Sequence, residues 1–239
     1  MHYIYDDTFD GFLSCYYEHY FITPCEGIFK KEIYQMSLLN SFKEITTNQV
    51  LVDKMYEFIK TKLSTEIVIN IYYCFQSDDL RKEELLLNYL NLGFEIGKDF
   101  DRYHTHDDVL PVLKLVSKVK RESHRYKGFV RFTDYKGTLY SEIHPTYNVL
   151  PIIGEHFADR FKSENFIIHD KNRNIAIVSH RGNVLCDFQE EVAQNLKEYD
   201  GYESLWRAYF NTMAIEERKS EKRQQRFVPL KYRKDLLEF

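Results

Sequence analysis

From Phe9 to Tyr20 the apolar residues Phe9, Phe12, Leu13, Tyr16, Tyr17 and Tyr20 recur at three- and four-residue spacing, which predicts an amphipathic helix. Asp7 or Thr8 can accept hydrogen bonds from the free N–H groups at its start, and Asp10 suits the positive end of its dipole. Ahead of it, Tyr3 to Tyr5 reads as a short strand. Residues 33–47 read as extended. Helices fit 48–63, 65–76 and 79–96, the last stopping before Gly97. After a polar loop, Val109, Val112, Leu113, Val116 and Val119 form the buried stripe of a long helix. Pro111 falls in its first turn, where a missing N–H does no harm.

The period then changes to two. FVRFTDYKGTLYSEIH (129–144) alternates about Lys136-Gly137, and a two-residue turn there sets Val130, Phe132, Leu139 and Ile143 on one face. The other face then carries Arg131 opposite Glu142 and Phe129 opposite His144. A helix at 148–162 and a second hairpin, NFIIHDKNRNIAIV, follow, so strand–strand–helix–strand–strand organises the middle of the chain. Residues 189–217 read as helical and 218–239 as a basic C-terminal arm. The expected fold class is α+β, an antiparallel sheet from two hairpins around a central helix, wrapped by several helices, with the N-terminal strand available to join it. One compact domain over 1–239 is expected, with 48–126 as a helical layer.

Composition sharpens this reading in three ways. Nine Gly and five Pro among 239 residues leave little room for long linkers. Neither a membrane span nor the basic start and apolar run of a signal peptide is present, so a cytoplasmic location with no membrane contact is expected. The four cysteines are scattered without a C-x-x-C pair, which predicts reduced, buried thiols and gives a zinc ribbon or a cysteine-bound iron–sulfur cluster little support; no metal and no cofactor are expected. The net charge of −4 divides into −9 over residues 1–110 and +5 over 111–239. An acidic protein with a basic functional face fits that division.

The cations gather in two stretches. KLVSKVKRESHRYKGFVRF (114–132) holds Lys114, Lys118, Lys120, Arg121, Arg125, Lys127 and Arg131 against one acid, Glu122. Cations interleaved with aromatics suit phosphate contacts and base stacking, although a solvated helix face has the same composition. The tail from Arg218 to Lys234 carries eight Lys/Arg against Glu221, and Phe227, Leu230 and Tyr232 argue that part of it docks. His144 lies at a strand end, and His156 and Arg160 share one face of the following helix beside Val149, Ile153 and Phe157. An imidazole near guanidinium groups can hold a phosphate or move a proton, and it can also be a satisfied core histidine. Asp170 and Arg173 flank the second hairpin tip, where an Asx-type turn accounts for them. His104, His106, Asp107 and Asp108 are ligand types for a divalent metal, but a helix start explains the acids. Phosphate-loop, G-x-S-x-G, H-E-x-x-H and zinc-deaminase signatures are absent from the sequence.

Several segments together resemble one uncharacterised bacterial family described as DNA metabolism or DNA repair proteins. They are YIYDDTFDGFLSCYYEHY, VKRESHRYKGFVRF, HPTYNVLPIIGEHFADRF, FIIHDKNRNIAI and SLWRAYFNTMAIEERKSEKRQQRFVPLKYRKDLLEF. Members are encoded beside a radical-SAM DNA-modification or repair protein, and some are fused to a uracil-DNA-glycosylase-like domain. Ser220 and His169 depart from the family's pattern. The resemblance implies a role in DNA metabolism with a radical-SAM partner.

The leading expectation is therefore a DNA-binding accessory protein, with phosphate contacts from Lys120, Arg121, Arg125, Arg131, Arg160, Arg173, Arg218, Arg223 and Arg226. The alternatives are an enzyme acting on nucleic acid, with His144, His156 and Asp170 as acid–base candidates, and a protein scaffold for the radical-SAM partner.

Overall fold

Thr8 separates the first strand from the first helix: its hydroxyl accepts the Gly11 N–H at 2.9 Å, capping α1 (Phe9–Phe21) directly after β1 (His2–Tyr5). The computed structural model describes residues 1–35, 40–135, 137–180, 183–186 and 228–236. The helix expected over 189–217 and the first part of the basic arm, with Arg218, Arg223, Arg226 and Phe227, lie outside the described residues. The chain divides into two compact units, Met1–Lys120 and Arg121–Phe239.

In the first unit, β1 lies between β2 (Gly27–Lys30) and β3 (Phe42–Glu44) in a three-stranded parallel sheet. The expectation that β1 joins the hairpin sheet is therefore corrected. Parallel neighbours need a long crossover, and α1 supplies it between β1 and β2. The helices α2 (Gln49–Lys62), α3 (Thr65–Phe75) and α4 (Lys82–Ile96) follow, with Asn48 and Ser64 capping the first two through their side chains. Their apolar stripes close a core around Tyr3, Phe12, Tyr16, Met55, Ile59, Ile71 and Leu90. Cys15, Cys25 and Cys74 are buried free thiols.

α5 (Leu110–Phe129) begins in the first unit and ends in the second, which continues with β4 (Thr133–Tyr135), β5 (Thr138–Ile143), α6 (Leu150–Arg160), β6 (Asn165–Asp170), β7 (Ile175–His180) and β8 (Asn183–Cys186). The sheet order is β4-β5-β6-β7-β8. Tyr135 pairs with Thr138 across a turn in which Gly137 has φ 88°, a conformation that favours glycine. The purely antiparallel sheet expected from the sequence is corrected. β5 and β6 pair in parallel, Ser141 with Ile168 and Ile143 with Asp170, because α6 carries the chain back to the same end. Phe129 is also not a strand residue; it ends α5, and the strand starts only at Thr133.

One face of this sheet carries Ile143, Phe166, Ile168 and Ile177 against Val149 just before α6, Ile153 and Phe157 of α6 and Tyr126 of α5. A short C-terminal 3-10 helix, Leu230–Asp235, adds Tyr232 to the same core at 1% exposure, while Leu230 stays 64% exposed. α6 and β7 approach closely at Gly154, where an added Cβ would lie 2.6 Å from Ile177 Cδ1. Gly154→Ala gains about 1 kcal/mol of helix propensity but overpacks the contact by roughly 1–3 kcal/mol. In a double-mutant cycle read by denaturant unfolding, Ile177→Val removes that methyl and is expected to convert Gly154→Ala into a stabilising change. Additive effects would contradict this close approach.

Candidate functional site

Past Ile143 the chain leaves β5 and runs through residues 144–149 before α6, and side chains from three other segments fix this loop. The Asp235 side chain, 1% exposed, accepts the Tyr126 hydroxyl at 2.9 Å, the His144 backbone N–H at 3.2 Å and His144 Nδ1 at 2.6 Å. A carboxylate only accepts, so Nδ1 is the donor of that bond. The His144 ring is 26% exposed.

Glu122, 2% exposed, is the second buried acid. It accepts the Tyr147 N–H at 2.7 Å, the Lys231 ammonium at 2.6 Å and the Tyr232 hydroxyl at 3.1 Å. Burial alone would raise its carboxyl. The bonds from Lys231 and the loop backbone outweigh burial and hold it below the ordinary glutamate range. Lys231 moves the matching way: partial burial opposes its charge, but the Glu122 bond raises the ammonium above its ordinary value. Its Nζ also donates to Thr146 Oγ1 at 2.9 Å.

The third support is the β6–β7 turn. Asp170, fully buried, accepts the N–H groups of Asn172 and Arg173 at 2.9 and 3.2 Å, the Asx turn expected there. Arg173 then spans back to the loop, donating to Pro145 O at 3.2 Å, Thr146 O at 2.6 Å and Asp170 Oδ2 at 2.9 Å. Asn172 Nδ2 donates to the same Pro145 oxygen at 2.9 Å.

The residues picked from the sequence therefore fall into different settings. His144 pairs with Asp235, and Arg131 and Glu142 have partners of their own. Glu142 accepts the Tyr140 hydroxyl at 2.9 Å, and Arg131 donates to Gly128 O at 2.8 Å. Asp170 and Arg173 serve the loop and the turn, while Arg125 donates to the Tyr232 hydroxyl at 3.5 Å and lies 5.4 Å from that ring's centre. Lys120 belongs to the first unit, where it donates to Asn70 Oδ1 at 3.3 Å and lies over the Tyr73 ring. Arg121 is exposed.

His156 and Arg160 come together with Lys127 of α5. Partial burial, then the positive charges of Lys127 and Arg160, hold the His156 imidazole below its usual value, with Asp159 opposing. His156 also meets the Phe157 ring at 5.2 Å, and Arg160 lies 5.8 Å from the Phe161 ring. Among the described residues, no three His, Cys, Asp or Glu side chains gather as a metal site, and no helix is long and apolar enough to cross a membrane.

Asp235 and Glu122 were missed as site residues, although Glu122 had a readable signal. It follows Val119 by three residues and precedes Tyr126 by four, on the buried stripe of α5. The profile of the domain of unknown function DUF4130 matches residues 80–238, which include α4, α5 and nearly all of the second unit. The chain belongs to this family. The DUF4130 match thus covers the segments that build both Asp235–His144 and Glu122–Lys231. No curated protein and no solved structure matches the chain.

The Glu122 lock makes a prediction about acid stability. A carboxyl held low in the folded state contributes stability that is complete above the ordinary glutamate range, roughly 4.3, and is lost as pH falls through the folded value. Glu122→Gln is expected to cost on the order of 2 kcal/mol at neutral pH. The difference in Tm from the parent chain should shrink as pH falls toward 3. A pH-independent difference would show that Glu122 is not held as a charge.

Proposed function

We propose that this chain is a DNA-metabolism protein whose second unit binds nucleic acid, with phosphate contacts from Lys127, His156 and Arg160. In this reading it serves as an accessory to a radical-SAM protein, the partner implied by the family resemblance. One observation carries the binding reading: Lys127 of α5 and Arg160 of α6 both act on the His156 imidazole, with Arg160 over the partly exposed Phe161 ring. Cations with adjacent aromatic faces supply the two contacts that single-stranded nucleic acid offers, phosphate charge and base stacking. Arg125, Arg131 and Arg173 donate to acceptors within their own unit and serve this role less directly. A second reading, an enzyme acting on nucleic acid, is favoured by the paired His144 and Asp235.

A salt titration of oligonucleotide binding, read by fluorescence anisotropy, tests the first reading. Lys127→Ala with Arg160→Ala should weaken binding roughly tenfold and reduce the log–log salt slope by about 1 per cation removed. Affinity should also rise as pH falls through the imidazole range, because a bound phosphate favours the charged form of His156. Salt-insensitive binding, or binding indifferent to the double substitution, would remove the patch from the account.

A further inference from the structure

We propose that His144 is a catalytic acid–base residue, that Asp235 is its positioning residue, and that the reaction is hydrolysis of a phosphodiester in the nucleic acid bound by this unit. The proposal rests on the nucleic-acid reading above and extends it from binding to chemistry.

The two ring nitrogens of His144 are in unlike positions. Nδ1 donates to a carboxylate that is itself fixed by Tyr126 and by the His144 backbone N–H. Nε2 has no hydrogen-bond partner among the described residues, and the ring is partly open to solvent. His169 of the same sheet provides an internal contrast. It is 3% exposed, with Nδ1 3.1 Å from the Tyr140 hydroxyl and Nε2 3.3 Å from Asn174 Oδ1. A histidine kept for packing has both nitrogens occupied, as His169 does. His144 instead has one nitrogen anchored and the other presented, the arrangement a general base needs.

Charge selects the bond. The acids of the site, Glu122, Asp170 and Asp235, are each at most 2% exposed and lie behind the loop, whereas the Lys231 side chain is 50% exposed. Lys231 is paired with Glu122, so among the described residues the site has no open carboxylate for the positive charge that develops at a sugar carbon during glycosidic cleavage. The half-exposed ammonium on Thr146 is the group that can meet a phosphoryl oxygen. α5 and α6 run the same way, since Glu122 meets Tyr147 at one end and Lys127 faces His156 and Arg160 at the other. α6 starts at Leu150, so His156 and Arg160 lie about 9 and about 15 Å along it from the His144 end, and one strand can engage both.

In the reaction, water loses a proton to His144 Nε2 as its oxygen bonds to phosphorus. The phosphorus–ester oxygen bond breaks, and the imidazolium returns that proton to the leaving oxygen. The products are a phosphate monoester and a hydroxyl. Asp235 stays unprotonated and stabilises the imidazolium.

The test uses the full chain with end-labelled single-stranded and duplex DNA, read on denaturing gels, and bis(p-nitrophenyl) phosphate as a small diester. The parent chain should cleave both. His144→Gln should lose roughly 10²–10⁴-fold in rate while retaining oligonucleotide affinity. Asp235→Asn should lower kcat by a similar factor with KM little changed, and Asp235→Glu should recover part of it. Thermal melts verify that each variant is folded, and His144, on the partly open side of the site, keeps the test decisive if Asp235 variants are not. Oligonucleotide bound but left intact, with the small diester also untouched, would overturn the proposal. So would cleavage that His144→Gln retains. Cleavage of the small diester without oligonucleotide binding would instead refute only the binding reading.

Discussion

Two carboxylates with almost no solvent access, Asp235 and Glu122, hold the loop that joins the two halves of the mixed sheet. Burying a charge is strongly unfavourable unless its lone pairs are taken up, and breaking such a contact costs more than making it gains. Each acid here accepts several hydrogen bonds, and each reaches both a loop backbone N–H and a side chain of the second unit. That requirement fixes residues 144–147 from opposite sides. It also ties the site to the C-terminal 3-10 helix, whose Tyr232 is buried in the core and whose Asp235 and Lys231 face the loop.

The site is thereby assembled from parts of the chain remote in sequence: Glu122 on α5, the loop after β5, the β6–β7 turn and the C-terminal segment. The parallel pairing of β5 and β6 is what brings two of these together, because it sets Ile143 beside Asp170, so that the loop leaving β5 adjoins the turn leaving β6. In a purely antiparallel arrangement those ends would lie at opposite edges, and Arg173 would have no loop carbonyl to reach. The clamp thus follows from the α6 crossover.

The sequence made the local elements legible and left the pairing direction hidden. Spacing of Phe12, Leu13 and Tyr16, and later of Val112, Val116 and Val119, is enough to specify buried helix faces, and these residues are buried. Alternation about Gly137 likewise places Ile143 in the core, and Val130 is buried there too although it precedes the strand. Alternation is the same for parallel and antiparallel strands, so it carries no information about the crossover that made the sheet mixed. β2 offers only Gly27–Lys30, too few residues for a period to show. The site was harder still, because His144 and Asp235 stand 91 positions apart and Asp235 reads locally as one acid closing a basic tail. Arginines that read as phosphate ligands were assigned by charge, whereas Arg173 is spent on carbonyl oxygens that no sequence pattern announces.

The central claim is that Asp235 fixes His144 in one tautomer and one orientation. Long-range proton–nitrogen correlation NMR of the neutral imidazole measures this directly. The account predicts the Nδ1–H form, with a strongly hydrogen-bonded proton on Nδ1, a bare Nε2, and loss of that signal in Asp235→Asn. An Nε2–H tautomer, or a ring averaging between the two forms in the intact chain, would contradict it.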